Sequence, residues 1–374
     1  MSMEAPKFLI AAGGTGGHVY PAIAIADALK QLKKSSQILF VGTRDRMEWD
    51  AVPKAGYKIE SIWISGFHRR LTLKNLTFPL KLLVSMNQSR NILNSFQPDI
   101  VLSCGGFAAG PVGWAAAKKK IPVCIQEQNS YPGWTNRKLG PKAERVYTAF
   151  EEAESFFRKE TVRMYGNPVR TELGNLSREK AAEIWNLSPA KRTLLVIGGS
   201  GGALTINRAM KKHLKQLHDK LGVQIIWQCG KEYYKNIIDE INPVDFPNLR
   251  LQPYIDDMGS AYAMADLAVS RAGAISCAEL TLTATPALLI PSPNVAGDHQ
   301  TKNALGLVNQ GAASLIQDDE AEEKLANRIT DVFAYPDYMK KMKAQSGNMA
   351  KPDAARHIAE DMLSLITQKS PAVA

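Results

Sequence analysis

The chain has only four cysteines, and none has a neighbour at metal-ligand spacing. Cys104, Cys124, Cys229 and Cys277 stand singly, which argues against a zinc core or a disulfide-stapled secreted fold. Buried reduced thiols in a cytoplasmic protein are the expectation. No uninterrupted apolar run reaches the roughly 18–20 residues needed to span a bilayer, and the N-terminal apolar segment is too short for a secretory signal. The sequon Asn75-Leu76-Thr77 therefore carries no meaning as a glycan site. No low-complexity tract is present. No Asp-X-Asp triplet stands in a metal-binding position and the histidines are scattered, so no bound metal or cofactor is expected.

Acid is locally scarce as well. From Ser61 to Gln126 the one carboxylate is Asp99, against Arg69, Arg70, Lys74, Lys81, Arg90 and Lys118-Lys119-Lys120. With a formal net charge of +10, the chain calls for an anionic partner: nucleic acid, acidic membrane or a phosphorylated small molecule.

What is present is glycine in two clusters. Gly13-Gly14-Thr15-Gly16-Gly17-His18 follows the apolar run at 8–12, and Gly198-Gly199-Ser200-Gly201-Gly202 follows the run at 194–197. Each is succeeded by apolar residues at helical spacing, so each reads as strand, tight loop, helix N-terminus. Open α/β sheets bind anions there, because backbone N–H groups and the helix dipole converge. At 374 residues, one such loop per half predicts two α/β domains.

The first half alternates strand-like runs at 8–12, 38–41, 59–62, 100–103, 123–126 and 145–148 with helical patterns at 21–33, 76–94 and 108–119. That rhythm predicts a doubly wound parallel sheet. It breaks at Tyr165-Gly166-Asn167-Pro168-Val169-Arg170, where Asn-Pro disfavours a helix. The rhythm restarts with strands at 193–197, 224–228, 249–253, 267–270, 287–290 and 313–315 and helices at 204–217, 274–283 and 302–309. Residues 335–366 read as helical and polar. The domains are accordingly 1–168 and 169–374, with the final helix, about 345–366, able to pack back on the first.

Several residues carry chemical weight. The second strand ends Phe40-Val41-Gly42-Thr43-Arg44, without the acid that holds a ribose in dinucleotide enzymes, so a nicotinamide cofactor loses ground. His18, at the start of a helix, would stay neutral when buried and could accept a proton; it could also be a capping residue. Ser270 to Glu279 reads as strand, glycine loop and helix, aiming the N–H groups of Ala274, Ile275 and Ser276 at a phosphate. Glu279 then falls in the first turn, as a ribose ligand or as a plain dipole partner. Asp298-His299-Gln300 suits sugar hydroxyls or a solvated helix start, and Arg170 suits a diphosphate or open solvent. The stretch from Phe67 to Leu83 mixes apolar and basic residues without acid, which fits an anionic phospholipid surface, although its leucines could be core. No nucleic-acid reading module appears, so nucleic acid is not expected as a partner.

Taken in order, residues 13–18 with Val19-Tyr20-Pro21-Ala22, Gly42-Thr43 with Asp45-Arg46-Met47-Glu48, Gly105-Gly106-Phe107, Glu127-Gln128-Asn129, Gly166 to Arg170, Gly198-Gly199-Ser200 and Ser270 to Glu279 closely resemble the MurG-type N-acetylglucosaminyltransferases of peptidoglycan synthesis. The resemblance spans about residues 7 to 360. It implies a GT-B fold, two Rossmann-like doubly wound domains separated by a cleft. It implies inverting transfer of GlcNAc from UDP-GlcNAc to the muramoyl 4-OH of lipid I, giving lipid II, at the cytoplasmic face of the cell membrane as a peripheral protein. Other cell-wall synthesis proteins are further partners it allows. By motif, Ile255 and Glu279 would hold uridine, and Ser200, Arg170 and the Ala274–Ser276 backbone the diphosphate. Gln300 and Asn129 would contact GlcNAc, with Thr15, Gly16 and Gly17 closing over phosphate. His18 is the first candidate for general base and Glu127 the second.

Three positions depart from the family pattern: Gln126 stands for a usual His, Ser276 for a frequent Thr, and Ala284 for a common Gly. Competing expectations are another GT-B enzyme, such as a glycolipid glycosyltransferase or a UDP-GlcNAc 2-epimerase, and a non-catalytic basic membrane- or nucleic-acid-binding protein.

Overall fold

Strand periodicity sets the architecture. In a computed structural model that describes residues 5–66, 77–170 and 173–369, two all-parallel sheets form. The first contains β1 (Lys7–Ala12), β2 (Gln37–Gly42), β3 (Lys58–Ser61), β4 (Ile100–Gly105), β5 (Val123–Glu127), β6 (Arg145–Thr148) and β7 (Val162–Met164). The second contains β8 (Thr193–Ile197), β9 (Gln224–Gln228), β10 (Leu249–Gln252), β11 (Leu267–Ser270), β12 (Ala287–Leu289) and β13 (Ala313–Leu315). Their orders are β3-β2-β1-β4-β5-β6-β7 and β10-β9-β8-β11-β12-β13. Both are Rossmann orders, reversing direction beside β1 and β8, and ligands bind outside the strand C-termini at such points.

Chain segments 1–170 and 352–374 make one compact unit, and 171–351 make the other. In the first, side chains alternate across the sheet. Phe8, Ile10 and Ala12 join the helix Gly16–Leu32 in one core, while Leu9 and Ala11 join Val112, Ala115 and Ile125 in another. A parallel sheet covered on both faces needs strands apolar at nearly every position, which is why these runs were readable. In the second unit Leu194, Val196, Ile225, Trp227, Leu267 and Val269 line the core beneath the helix Leu204–Lys215.

The polar helix expected over 335–366 is two helices, Pro336–Asn348 and Ala354–Lys369. Pro352 lies in the break, since it cannot continue a helix from the residues before it. The second of them is amphipathic: Ile358, Met362 and Leu365 are buried in the core with Ile25 and Leu29, each contributing about 1.5–3 kcal/mol. Its Asp361 accepts from Tyr147 Oη at 2.9 Å and pairs with Arg145 at 3.1 Å. The first helix starts at Gly16, well before Pro21, which lies inside it. All four cysteines are free and buried, and burial pushes the Cys277 thiol up to about 12.

Candidate active site

Three helices begin just past strand ends at the two reversal points: Gly16–Leu32, Leu204–Lys215 and Ala274–Leu282. None carries an acid in its first turn or a side-chain cap. The first turn of each helix therefore brings no carboxylate of its own to the positive end of the dipole.

In the first unit, the glycine loop after β1 is pinned by Glu48, a residue given no role of its own by sequence reasoning. Its fully buried carboxylate accepts from Gly14 N at 2.9 Å, Thr43 N at 3.0 Å and Thr43 Oγ1 at 2.8 Å. The acid sought at the end of β2 thus lies a few residues later and faces the loop. Gly106, at φ +85°, packs backbone on backbone: a Cβ there would sit 2.1 Å from Gly13 O. Only glycine permits both that conformation and that approach.

His18 stands inside this frame, half-buried, with Nδ1 3.2 Å from Gly13 O and 3.3 Å from Thr15 Oγ1. A carbonyl only accepts, so the neutral ring carries its proton on Nδ1 and keeps a lone pair on Nε2. Burial lowers its pKa below the ordinary 6.5, opposed chiefly by the charge of Glu127. A buried imidazole of this kind is neutral at pH 7 and able to take a proton.

Glu127, at the end of β5, is 1% exposed. It accepts from Asn129 N (3.0 Å), Asn129 Nδ2 (3.3 Å), Gly133 N (3.1 Å) and Asn136 Nδ2 (2.9 Å). Four donors occupy the carboxylate and shape the turn that leads into the helix Trp134–Leu139. Asn129 is thereby fixed with its NH2 turned to Glu127. Gln126, the departure from the family pattern, is buried in an amide network, donating to Asn167 Oδ1 at 3.2 Å and accepting from Gln128. Gln128 also donates to Cys104 O at 2.8 Å, and Asn167 donates to Gln128 O at 3.0 Å. The Arg170 guanidinium lies 4.4 Å from the centre of the Tyr20 ring, on the helix that carries His18.

In the second unit, Gln228 performs the matching task and was equally missed. Its Nε2 donates to Gly199 O at 2.8 Å and its Oε1 accepts from Ile255 N at 2.8 Å. The loop bearing exposed Ser200 and the buried Ile255 are thus held together from the end of β9. Asn207 adds a bond to Cys229 O at 2.8 Å. Gly202 packs so that a Cβ would meet Cys229 O at 2.0 Å.

The helix Ala274–Leu282 starts with Ala274, Ile275 and Ser276 in the expected place. Glu279, however, is not in its first turn. It is one turn deeper, 6% exposed, with its carboxylate accepting from Tyr262 Oη at 3.2 Å. A dipole-partner role is therefore excluded by position. Gln300 lies in the first turn of the helix His299–Asn309, where its Oε1 accepts from Ser292 N at 2.8 Å. Residues 67–76 of the basic apolar stretch lie outside the described residues. Beyond them the helix Phe78–Phe96 leaves Leu80 at 55% and Leu83 at 71% exposed, so these two leucines are not core. Among the described residues, no helix is long and apolar enough to cross a membrane, and no three His, Cys, Asp or Glu groups converge as a metal site.

The glycosyltransferase family 28 N-terminal domain model matches residues 8–148 and the corresponding C-terminal domain model residues 193–358. A UDP-N-acetylglucosamine–N-acetylmuramyl-(pentapeptide) pyrophosphoryl-undecaprenol N-acetylglucosamine transferase of Salinibacter ruber is 43% identical over 365 residues, 98% of each chain. The crystal structure of Acinetobacter baumannii MurG superposes with TM-score 0.70 at 28% identity, covering 96% of this chain and 99% of that one. A UDP-GlcNAc 2-epimerase of Neisseria meningitidis, bound to UDP-GlcNAc, reaches TM-score 0.67 at 17% identity over 96% and 100% of the two chains, a likeness of fold alone. With both halves matched by one family's models and full-length identity above two-fifths, the chain belongs to glycosyltransferase family 28.

Proposed function

We propose that the chain is an inverting N-acetylglucosaminyltransferase that moves GlcNAc from UDP-GlcNAc to the 4-OH of the muramoyl sugar of lipid I, producing lipid II. The observation that carries this is the 43% identity over 98% of both chains to a curated enzyme of that name. The epimerase alternative rests on fold alone and is dropped.

The chemistry follows from the residues. The acceptor 4-OH attacks the anomeric carbon, the new C–O bond forms as the bond to the β-phosphate breaks, and UDP leaves with the electron pair. His18 Nε2 takes the hydroxyl proton, because its lone pair is defined by the Nδ1 contact with Gly13 O. Glu127, with four N–H donors on its carboxylate, acts as an electrostatic partner to His18 and a shaper of the Asn129 turn rather than as the base. Charge growing on the departing diphosphate is met by the N-terminus of Ala274–Leu282, by the loop carrying Ser200 and by Arg170. Glu279, aimed by Tyr262, holds the ribose beside Ile255, and Gln300 and Asn129 contact GlcNAc. Thr15, Gly16 and Gly17 close over phosphate.

Attachment to the membrane uses the acid-free stretch, with exposed Leu80 and Leu83 entering the anionic interface of the cytoplasmic leaflet. Lys81 stands 5.6 Å from the half-exposed Trp63 ring, placing a cation beside an interfacial aromatic.

The test is to incubate the purified chain with labelled UDP-GlcNAc and a lipid I analogue. Lipid II carrying the label in a β1,4 bond supports the proposal. No transfer by folded protein that binds UDP, or a changed sugar released without acceptor, rejects it.

A further inference from the structure

A cavity of about 460 Å3 opens at the N-terminal ends of the second sheet's strands, the end opposite the glycine loops. Arg192, Asp266 and Pro286, which directly precede β8, β11 and β12, lie in its wall. So do Arg178, Lys340 and Lys343. Asp266 is the one acid of the lining, and it is already engaged. It accepts from Arg178 NH2 at 2.8 Å, Arg178 NH1 at 3.3 Å and Thr193 N at 2.8 Å. That pair cancels Arg178. Arg192 donates to Phe333 O at 2.7 Å, a neutral partner. Lys340 and Lys343 are exposed and have no carboxylate partner among the described residues. Three cations are left uncompensated around a floor that includes Ala263 and Met339.

We propose that this cavity binds an organic phosphate and that its occupancy is transmitted to Glu279. Three cations, one of them a guanidinium fork, match a phosphate dianion better than a single carboxylate. The volume falls in the range of small-molecule sites and far exceeds one phosphate ion, so the ligand carries a body that covers the apolar floor. Two lining residues reach Glu279 directly. Tyr262 Oη donates to its Oε2 at 3.2 Å, and Thr283 Oγ1 donates to its backbone oxygen at 2.9 Å. A ligand that moves Tyr262 re-aims the carboxylate, whereas Thr283 bonds only the helix backbone. This second half rests on the reading of Glu279 as the ribose ligand; the first does not.

The test uses the full chain. Glycerol 3-phosphate serves as a free organic phosphate, and short-chain phosphatidic acid below its micelle concentration, against phosphatidylcholine of the same chain length, serves as the lipid source without offering a membrane surface to Leu80 and Leu83. Binding is measured directly and UDP affinity in parallel. One of the two phosphate sources should bind the wild type, and the K340E/K343E chain, altered only at exposed positions, should bind it at least about tenfold more weakly. Saturation with that source should change the Kd for UDP about fivefold, and Tyr262→Phe should abolish the change without weakening the source's own binding. Equal binding by wild type and K340E/K343E, or none by either, overturns the site. Inorganic phosphate binding as tightly as the esters overturns the organic-phosphate assignment. Binding with an unchanged UDP Kd overturns the coupling. Failure of every form to bind UDP would instead reject the ribose reading, and the direct titration would still decide the cavity.

Discussion

Glu48 Oε2 accepts the Gly14 amide at 2.9 Å across 34 residues of sequence, tying the first glycine loop to the end of β2. Because Oε1 holds both Thr43 groups, a side-chain amide at this position must set an NH2 against an N–H or O–H donor. Glu48→Gln should therefore destabilise the protein by about 1–3 kcal/mol in denaturant titration. The Kd for UDP, whose proposed uridine ligands Ile255 and Glu279 lie in the other unit, should hold. A loss below about 0.5 kcal/mol would show that the loop does not depend on this carboxylate.

His18→Ala should lower kcat by on the order of 10²–10⁴ while leaving the Kd for UDP within about threefold. Burial places the His18 pKa below 6.5, so the acidic limb of the kcat/KM profile should lie below that value. Glu127 raises it, and neutralising Glu127 should move the limb to lower pH still. An unchanged rate in the alanine variant would remove His18 as base.

Gly106→Ala and Gly133→Ala separate close packing from open space. The first forces a methyl 2.1 Å from Gly13 O, a backbone atom that cannot rotate away, whereas the second meets nothing within 4 Å. Thermal melts should show G106A losing about 3 kcal/mol or more, and G133A, at a helix N-cap whose φ of −60° alanine adopts without strain, losing about 1 kcal/mol from the weaker cap. Equal losses would mean that the two loops are not in contact.

Leu80→Asp with Leu83→Asp should release the protein from anionic vesicles in a sedimentation assay. At their exposure the stability should change by about 0.5 kcal/mol or less, and transfer to a water-soluble acceptor should continue. Undiminished vesicle binding would place the membrane contact elsewhere.

Most strands were legible from their apolar residues, which in β1, β4, β5, β8 and β11 fill most of the length as both-face burial demands; β6, β8, β9, β11 and β13 fall on the residues read from the sequence. The exception, β7, is three residues long with Arg163 at its centre and offers no apolar run. The start of the first helix was misplaced toward Pro21 because proline marks helix starts. Here the glycine loop itself turns into the helix at Gly16. The glycine loops, Glu279 and His18 could be picked out locally. Glu48 and Gln228 could not, because each acts by bonding a glycine loop 34 or 29 residues away, and nothing in their own neighbourhood distinguishes them from a surface acid or a strand-end amide. The depth of Glu279 was likewise hidden, since one turn of helix depends on where the turn before it begins.

The helix Ala354–Lys369 completes the core around Ile25 and Leu29 and lends Asp361 to Tyr147 and Arg145. That gives the polypeptide a required order of assembly on the ribosome. The segment 171–351 has all its strands and its own core in hand while the earlier unit still shows an uncovered apolar face. Nascent chains therefore carry a sticky intermediate for as long as it takes to translate roughly half the protein, the kind of surface that chaperones bind and aggregates grow from. The unit that begins the chain is the last that can close.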